Sequence, residues 1–356
     1  MKDEERGIDS AIRPHAERSD SELEPVAVLP DLYQLTIPTP FPVGPVNVYV
    51  ARAPGDDGLT LVDCGPRTSE ARAALDAGLA SLGHSVNDVR RIVVTHAHAD
   101  HYGLAANIAA ESGAQVLTHP FNQPALQAST DESEQRLAFY ANLLRESGVP
   151  GELVGTIDNV RRSVGDYADP VHPTGDLNDS DTLALAGRVW QVLHTPGHST
   201  GLICLYEPRS HVLLSNDHLL RDISSNPLVE PPPPGVSHRY KSLVEYIGQM
   251  QRVAAMDVSV AWPGHGEPIH DVGEVVRQRV TFHAERAERI LGLFDGSPLT
   301  AFQIARRVFP LLDPFSFFLA MSEVLGHLEL LESEGRISAT QRDGLVMWQG
   351  SMPGSV

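Results

Sequence analysis

The chain has 356 residues, a formal net charge of −19, and 42% hydrophobic against 21% charged residues, a balance that excludes wholesale disorder and suggests one large folded domain with a smaller one. So acidic a surface repels polyphosphate, which disfavours nucleic acid as a partner. No apolar run approaches a membrane span, the opening MKDEERGIDSAIRPHAERSD lacks the apolar core of a secretory leader, and the cysteines Cys64 and Cys204 are too few for a disulfide framework, so a cytoplasmic protein without membrane attachment is expected.

Residues 1–25 are charge-rich without apolar periodicity and are expected to form a mobile tail. From Val26 onward VAVLPDLYQLTI, VNVYVA and LTLVDCG predict three opening strands separated by turn-rich TPFPVGP and APGDDG. SEARAALDAGLASLG predicts a helix ending at Gly83, and DVRRIVVTHAHADHYG a short buried strand running into a histidine cluster. GLAANIAAESG and AQVLTH continue as helix and strand. The first half is therefore a layered α/β unit with its chemistry at strand C-terminal ends.

Residues of roughly 120–170 break this rhythm with DESEQRLAFYANLLRESG and GELVGTIDNVRRSVG, a helical insertion. Strand patterning returns in DTLALAG, RVWQVLHT, GLICLYEP and HVLLSND, followed by the proline-rich loop NPLVEPPPPGVSHRY. The expected catalytic region is 26–275. Beyond it, residues 276–356 read as three helices, TFHAERAERILGLFDG, TAFQIARRVF and FFLAMSEVLGHLELLESEG, and a hairpin, RISATQRDGLVMWQ: a small module of winged-helix character. Residues 281–356 carry six Arg, no Lys and nine acids, which argues against DNA reading.

THAHADH places His96, His98, Asp100 and His101 within six residues, so a tight turn can aim imidazoles and a carboxylate at two adjacent points. A lone His-x-His is as readily a surface patch as a ligand pair. Three further residues decide the matter: His198 in HTPGHST, Asp217 ending HVLLSND, and His265 in AWPGHGEP, each after a strand-like stretch. Five histidines and two carboxylates are the complement needed for two metal ions.

In this order the motifs resemble those of the metallo-β-lactamase superfamily, over about Pro25 to Asp271. The resemblance implies a four-layer αββα sandwich. It also implies that His96, His98 and His198 hold one metal ion, Asp100, His101 and His265 a second, and that Asp217 bridges them. LVDCGP, TPGHSTG and PGHG are most similar to the glyoxalase II-like, thioester-hydrolysing branch, in which the counterpart of Asp63 supports the metal-binding loop. Asn216 departs from the pattern, since relatives commonly carry Gly there. The C-terminal module resembles the winged-helix appendage of some relatives, one branch of which includes RNA-cleaving members.

The implied reaction is attack on an acyl or phosphoryl centre by water ionised between two divalent cations, zinc by ligand type, with manganese or iron as alternatives. Asp100 and Asp217 are the candidate catalytic residues, orienting the attacking water. A small-molecule acyl substrate, meaning a thioester, lactone or other ester-like bond, suits the acidic surface. Tyr102, His218, Arg239 and Tyr240 are candidate substrate contacts, each with a structural role as the competing explanation. Cys64 reads as packing beside the site and not as a nucleophile. A two-metal phosphodiesterase or ribonuclease is the first alternative, hinted at only by the Arg161-Arg162 and Arg306-Arg307 pairs, both of which are expected to mark solvated helix faces, and a mononuclear iron persulfide dioxygenase-like enzyme is the second. The C-terminal module is a candidate homodimer contact or a roof over the pocket.

Overall fold

A computed structural model describes residues 24–52, 58–127, 130–310 and 312–351. The expected tail lies outside these residues apart from Glu24 and Pro25, as does most of the APGDDG turn. The run VAVLPDLYQLTI is two strands, β1 (Val26–Leu29) and β2 (Leu32–Ile37), rather than the single strand expected. Pro30 has no N–H for a ladder and Asp31 takes the left-handed conformation, φ 63°, so the chain reverses there.

With β3 (Val46–Arg52) and β4 (Leu59–Val62) these strands form an antiparallel run. Helix α1 (Ser69–Ser81) leads into β5 (Val89–Val94), which lies parallel to β4. The Thr68 hydroxyl accepts the Ala71 N–H to start α1, and Gly83, at φ 83°, follows its end as the sequence predicts. After β5 come the one-turn helix α2 (Ala99–Tyr102), helix α3 (Ala105–Ser112) and β6 (Gln115–Thr118). Short α4 (Gln123–Leu126) leads to the expected helical insertion, α5 (Thr130–Glu146) and α6 (Gly151–Gly165), and then to β7 (Gly175–Asp176), which closes a seven-stranded sheet in the order β1 to β7.

A second, five-stranded sheet runs β12-β11-β10-β9-β8, built from β8 (Thr182–Leu185), β9 (Arg188–His194), β10 (Ile203–Glu207), β11 (Val212–Asn216) and β12 (Val260–Pro263). Every residue of β10 and β11 is buried, as strands covered on both faces must be. Between the sheets lie Leu32, Tyr49, Val62, Trp190, Val192, Leu205 and Leu214. Each such apolar side chain taken wholly out of water contributes roughly 1.5–3 kcal/mol, which is what clamps the sheets together.

The outer face of the first sheet is covered by Leu75 and Leu79 of α1 and Ile108 of α3. That of the second is covered by α7 (Ser242–Ala254), through Leu243, Tyr246, Met250 and Val253, and by the start of α8 (Val272–Leu291). The result is the expected layering of helix, sheet, sheet and helix. The predicted C-terminal helices are the rest of α8, α9 (Ala301–Val308) and α10 (Pro314–Ser333), followed by the hairpin of β13 (Ile337–Arg342) and β14 (Leu345–Gly350).

The insertion and the C-terminal helices are not separate appendages. Tyr140, Leu144, Val154 and Ile157 from α5 and α6 share one hydrophobic cluster with Ile290, Ile304, Phe317, Met321, Leu325 and Trp348. Helix α8 belongs to both cores: Val272, Val275 and Val276 pack on the second sheet, while Ala287 and Ile290 pack in the helical cluster.

Candidate metal centre

The site is assembled where strands end. Asp63 follows β4 in the left-handed conformation, φ 60°, and is fully buried. Its carboxylate accepts the Thr95 N–H at 2.8 Å, the Thr95 hydroxyl at 2.7 Å and His101 Nδ1–H at 2.8 Å. One side chain thereby fixes both ends of the loop that carries His96, His98 and Asp100.

The seven residues singled out in the sequence meet in one place. His98 Nδ1 lies 3.0 Å from His96 Nε2 and 2.9 Å from His198 Nε2, so three imidazole nitrogens converge on one point. His265 Nε2 lies 3.4 Å from Asp100 Oδ2, with His101 completing a second group of three donors. Asp217 stands between them: its Oδ2 is 3.4 Å from His101 Nε2, 3.6 Å from His265 Nε2, 3.6 Å from His198 Nε2 and 4.0 Å from His96 Nε2.

The opposite nitrogens are tied back to the protein. His265 Nδ1–H donates to the Pro45 carbonyl at 2.8 Å, and His198 Nδ1 lies 3.0 Å from the Asn226 carbonyl and 2.8 Å from Ser225 Oγ. Thr95 Oγ1 is committed as donor to Asp63, so His96 Nδ1–H donates to it at 3.1 Å. Fixing one ring nitrogen in this way points the other, as an acceptor, at a metal. His101 Nε2, His265 Nε2 and Asp217 Oδ1 are buried without a hydrogen-bond partner among the described residues, atoms that a cation would satisfy.

Electrostatics divides the cluster in two. Burial holds His96, His98 and His198 below the ordinary histidine range, the last two at about 4, so these imidazoles are neutral near pH 7 and their inward nitrogens are free to coordinate. Burial pulls His101 and His265 the same way, but the carboxylates Asp217 and Asp100 outweigh it and hold both above their ordinary value. The carboxylates respond in kind: burial alone would raise them, yet the neighbouring histidines hold Asp217 far below its usual range and Asp100 at about 2. Imidazole and carboxylate donors of this kind fit late divalent metal ions.

Asn216 explains its own departure from the family pattern. It sits at φ 45°, a conformation open to Gly and tolerated by Asn, and its Nδ2 donates to the Ile203 carbonyl at 3.2 Å. Cys64 is buried, its thiol is pushed well up by that burial, and its Sγ faces the His101 carbonyl at 3.4 Å; no feature there activates a nucleophile.

A cavity of about 830 Å³ opens from His98, Asp100, His198, Asp217 and His265 toward the helical core. Tyr102 lines it. The other three expected substrate contacts stand elsewhere. His218 is fully buried against Tyr246, because consecutive side chains at a strand end diverge and only Asp217 faces the site. Arg239 is drawn into an ion pair with Glu329 of α10, and Tyr240 lies edge-on to Phe121. Arg161 and Arg162, expected on a solvated helix face, both line the cavity, Arg162 being paired there with Glu134 and Asp158.

Several positioning residues escape a reading of the sequence. Asn122 donates to Thr118 Oγ1 and to the Gly201 carbonyl, both at 2.9 Å, pinning the His198 loop to the end of β6. At Gly264 a Cβ would come within 2.2 Å of Asp217 Oδ1. Pro45, Ser225 and Asn226 act through atoms that no motif announces. The glycine, in PGHG beside a ligand, is the one whose spacing gives a signal.

A family model described as Metallo-beta-lactamase superfamily matches residues 41–265. The probable metallo-hydrolase YqjP of Bacillus subtilis is 35% identical over 322 residues, 90% of this chain and 96% of that protein. The crystal structure of a metallo-beta-lactamase family protein from Thermus thermophilus superposes with a TM-score of 0.77 at 30% identity, covering 91% of this chain and all of that one. A shorter match, 31% identical over 99 residues, is to the acyl-coenzyme A thioesterase MBLAC2 of Homo sapiens, covering 27% of this chain and 32% of that protein. With the donor residues converging at strand ends between two covered sheets, the chain belongs to the metallo-beta-lactamase superfamily and is a metal-dependent hydrolase.

Proposed function

We propose that the protein holds two divalent ions, zinc by donor type, and hydrolyses a small acyl substrate with an ester-like bond, a thioester first among them. The observation that carries this reading is the pair of three-donor groups, joined by Asp217, in the wall of a cavity of about 830 Å³. His96, His98 and His198 would hold one ion, and Asp100, His101 and His265 the other. When bound, such ions supply Lewis acidity and a water that ionises near neutral pH.

The chain's own residues do the rest. Asp63 and Thr95 fix the loop, and Asp217 and Asp100 keep a carboxylate oxygen facing the reacting region. Leu137, Tyr140, Ile157, Phe282 and Phe318 give the cavity apolar walls suited to an acyl body. The MBLAC2 match supports the thioester end of the range, and so do the TPGHSTG and PGHG phrases. A phosphodiester chain calls for a continuous basic groove, whereas the walls here are mainly apolar, with the lining arginines confined to α5 and α6. One iron would leave part of the donor set idle.

In the same reading the C-terminal helices and hairpin form a winged-helix-like module that walls the cavity and offers a homodimer contact, which light scattering checks. The protein works in the cytoplasm; no helix among the described residues is long and apolar enough to cross a membrane. The test is elemental analysis of the purified protein with assays on a thioester, a lactone, a β-lactam and a phosphodiester, and His98→Ala as control. Two zinc per chain and acyl hydrolysis lost in the variant is the expected result. One iron without hydrolysis, or hydrolysis of the phosphodiester alone, overturns it.

A further inference from the structure

Of the three arginines that line the cavity, Arg162 is paired with Glu134 and Asp158, while Arg136 and Arg161 share one nearby carboxylate, Glu230. Arg136 and Tyr140 are four residues apart on α5 and share a face, and Arg161 of α6 lies 3.6 Å from the Tyr140 ring and 4.3 Å from that of Phe318. All four residues line the cavity.

The acids nearby are already engaged. Glu230 Oε1 pairs with Arg136 at 4.0 Å while its Oε2 accepts the Thr200 N–H at 2.6 Å, so one carboxylate, itself shared with a backbone amide, faces two guanidinium groups. Glu134 is bonded by Arg162, and Glu323 by Arg286 at 2.8 Å. Among the described residues no carboxylate pairs with Arg161, and its buried Nε has no hydrogen-bond partner. Burial pulls the Arg161 guanidinium below its ordinary range, and the charge of Arg136 pulls the same way. Arg136 lines the same cavity as His98 and Tyr102. A buried cation lacking countercharge is costly to keep, and an anionic ligand offsets that cost.

We propose that Arg136 and Arg161 form an anion-recognition site in the cavity, which fixes a carboxylate or phosphate of the substrate while the apolar walls hold its hydrocarbon part. Guanidinium geometry matches both groups through paired N–H donors. The proposal rests on the hydrolase reading for the word substrate, but the site itself is testable without turnover.

The experiment compares three thioesters on the metal-loaded protein: hexanoyl-N-acetylcysteamine, which is neutral; adipoyl-N-acetylcysteamine, with a carboxylate on the acyl side; and hexanoyl-coenzyme A, with phosphates on the leaving side. One anionic substrate is expected to exceed the neutral one by at least about tenfold in kcat/KM, through KM, the size of one charge-assisted contact. The substrate that wins identifies the source of the anion. Arg136→Gln and Arg161→Gln should collapse that ratio, and Arg161→Lys should keep part of it, a rescue that loss of ring stacking alone would not give.

In parallel, calorimetry of adipate, inorganic phosphate and neutral hexanol against chelator-treated protein reads the site directly. Arginine-dependent binding of an anion without any thioester hydrolysis would leave the site standing and remove the hydrolase reading. Hydrolysis with equal efficiency on all three thioesters, and anion binding indifferent to both arginines, overturns the site alone.

Discussion

In the two-sheet sandwich every proposed metal donor lies within a few residues of a strand end, held by a backbone whose position the ladders already dictate. In the helical core the cavity wall is gathered from Arg136, Arg161, Phe282 and Phe318, on four helices drawn from the insertion and from the C-terminal part of the chain. The first arrangement is local and stiff. The second exists only once α5, α6, α8 and α10 have packed together. The difference suggests a division of labour, with bond cleavage assigned to strand ends and ligand choice to helix packing.

The sharpest way to break this division is at the shared carboxylate. Asp217→Ala should lower kcat by at least about a thousandfold and reduce the metal content, while circular dichroism reports the helices unchanged. Retained turnover would remove Asp217 from the chemistry. The converse cut is Phe317→Ala, which deletes a buried ring from the helical core at a cost of about 3–5 kcal/mol. It should lower the thermal midpoint and raise KM, with metal content unaltered; a parallel loss of metal would show that the two regions do not act separately.

A smaller effect is expected at Asp63. Asp63→Asn keeps the size of the side chain but weakens its hold on Thr95 and His101, and metal affinity should fall about 10–100-fold in a competition titration with a chromophoric chelator. Unchanged affinity would show that the loop holds its shape without the carboxylate.

The smallest effect concerns acid. Burial holds His283 at about 3 and His327 at about 4, against an ordinary 6.5. Between those values and 6.5 the unfolded chain binds protons that the folded chain refuses. Stability therefore falls as pH drops from about 6.5 toward 4 and is regained as pH rises. His327→Gln should flatten that slope in chelator-treated protein followed by thermal melts, and an unchanged slope would assign the acid sensitivity elsewhere.

The legible part of the molecule was the part that local sequence encodes. THAHADH, TPGHST and PGHG each mark a strand end, and alternation or continuous apolar runs located most of the strands themselves. Asp31 hid a chain reversal inside an apolar run, because a single positive φ leaves no periodic trace. His218 misled because sitting next to Asp217 says nothing about which way a side chain faces. Arg161 misled in the other direction: beside Arg162 it reads as a solvated pair, and only the tertiary placement of Tyr140 and Phe318 turns it inward.

Helix α8 adds a mechanical consequence. Its twenty residues, some 30 Å of rigid rod, begin with the Asp271 carboxylate capping the Glu274 N–H, a few residues beyond His265, and end inside the helical core. One rigid element thus joins the core of the second sheet to the helical core that walls the cavity. A tilt of five degrees at Val272 would carry Phe282, ten residues on, through about 1.3 Å and Leu291 through about 2.5 Å, changing the cavity wall while the strand ends stay in place.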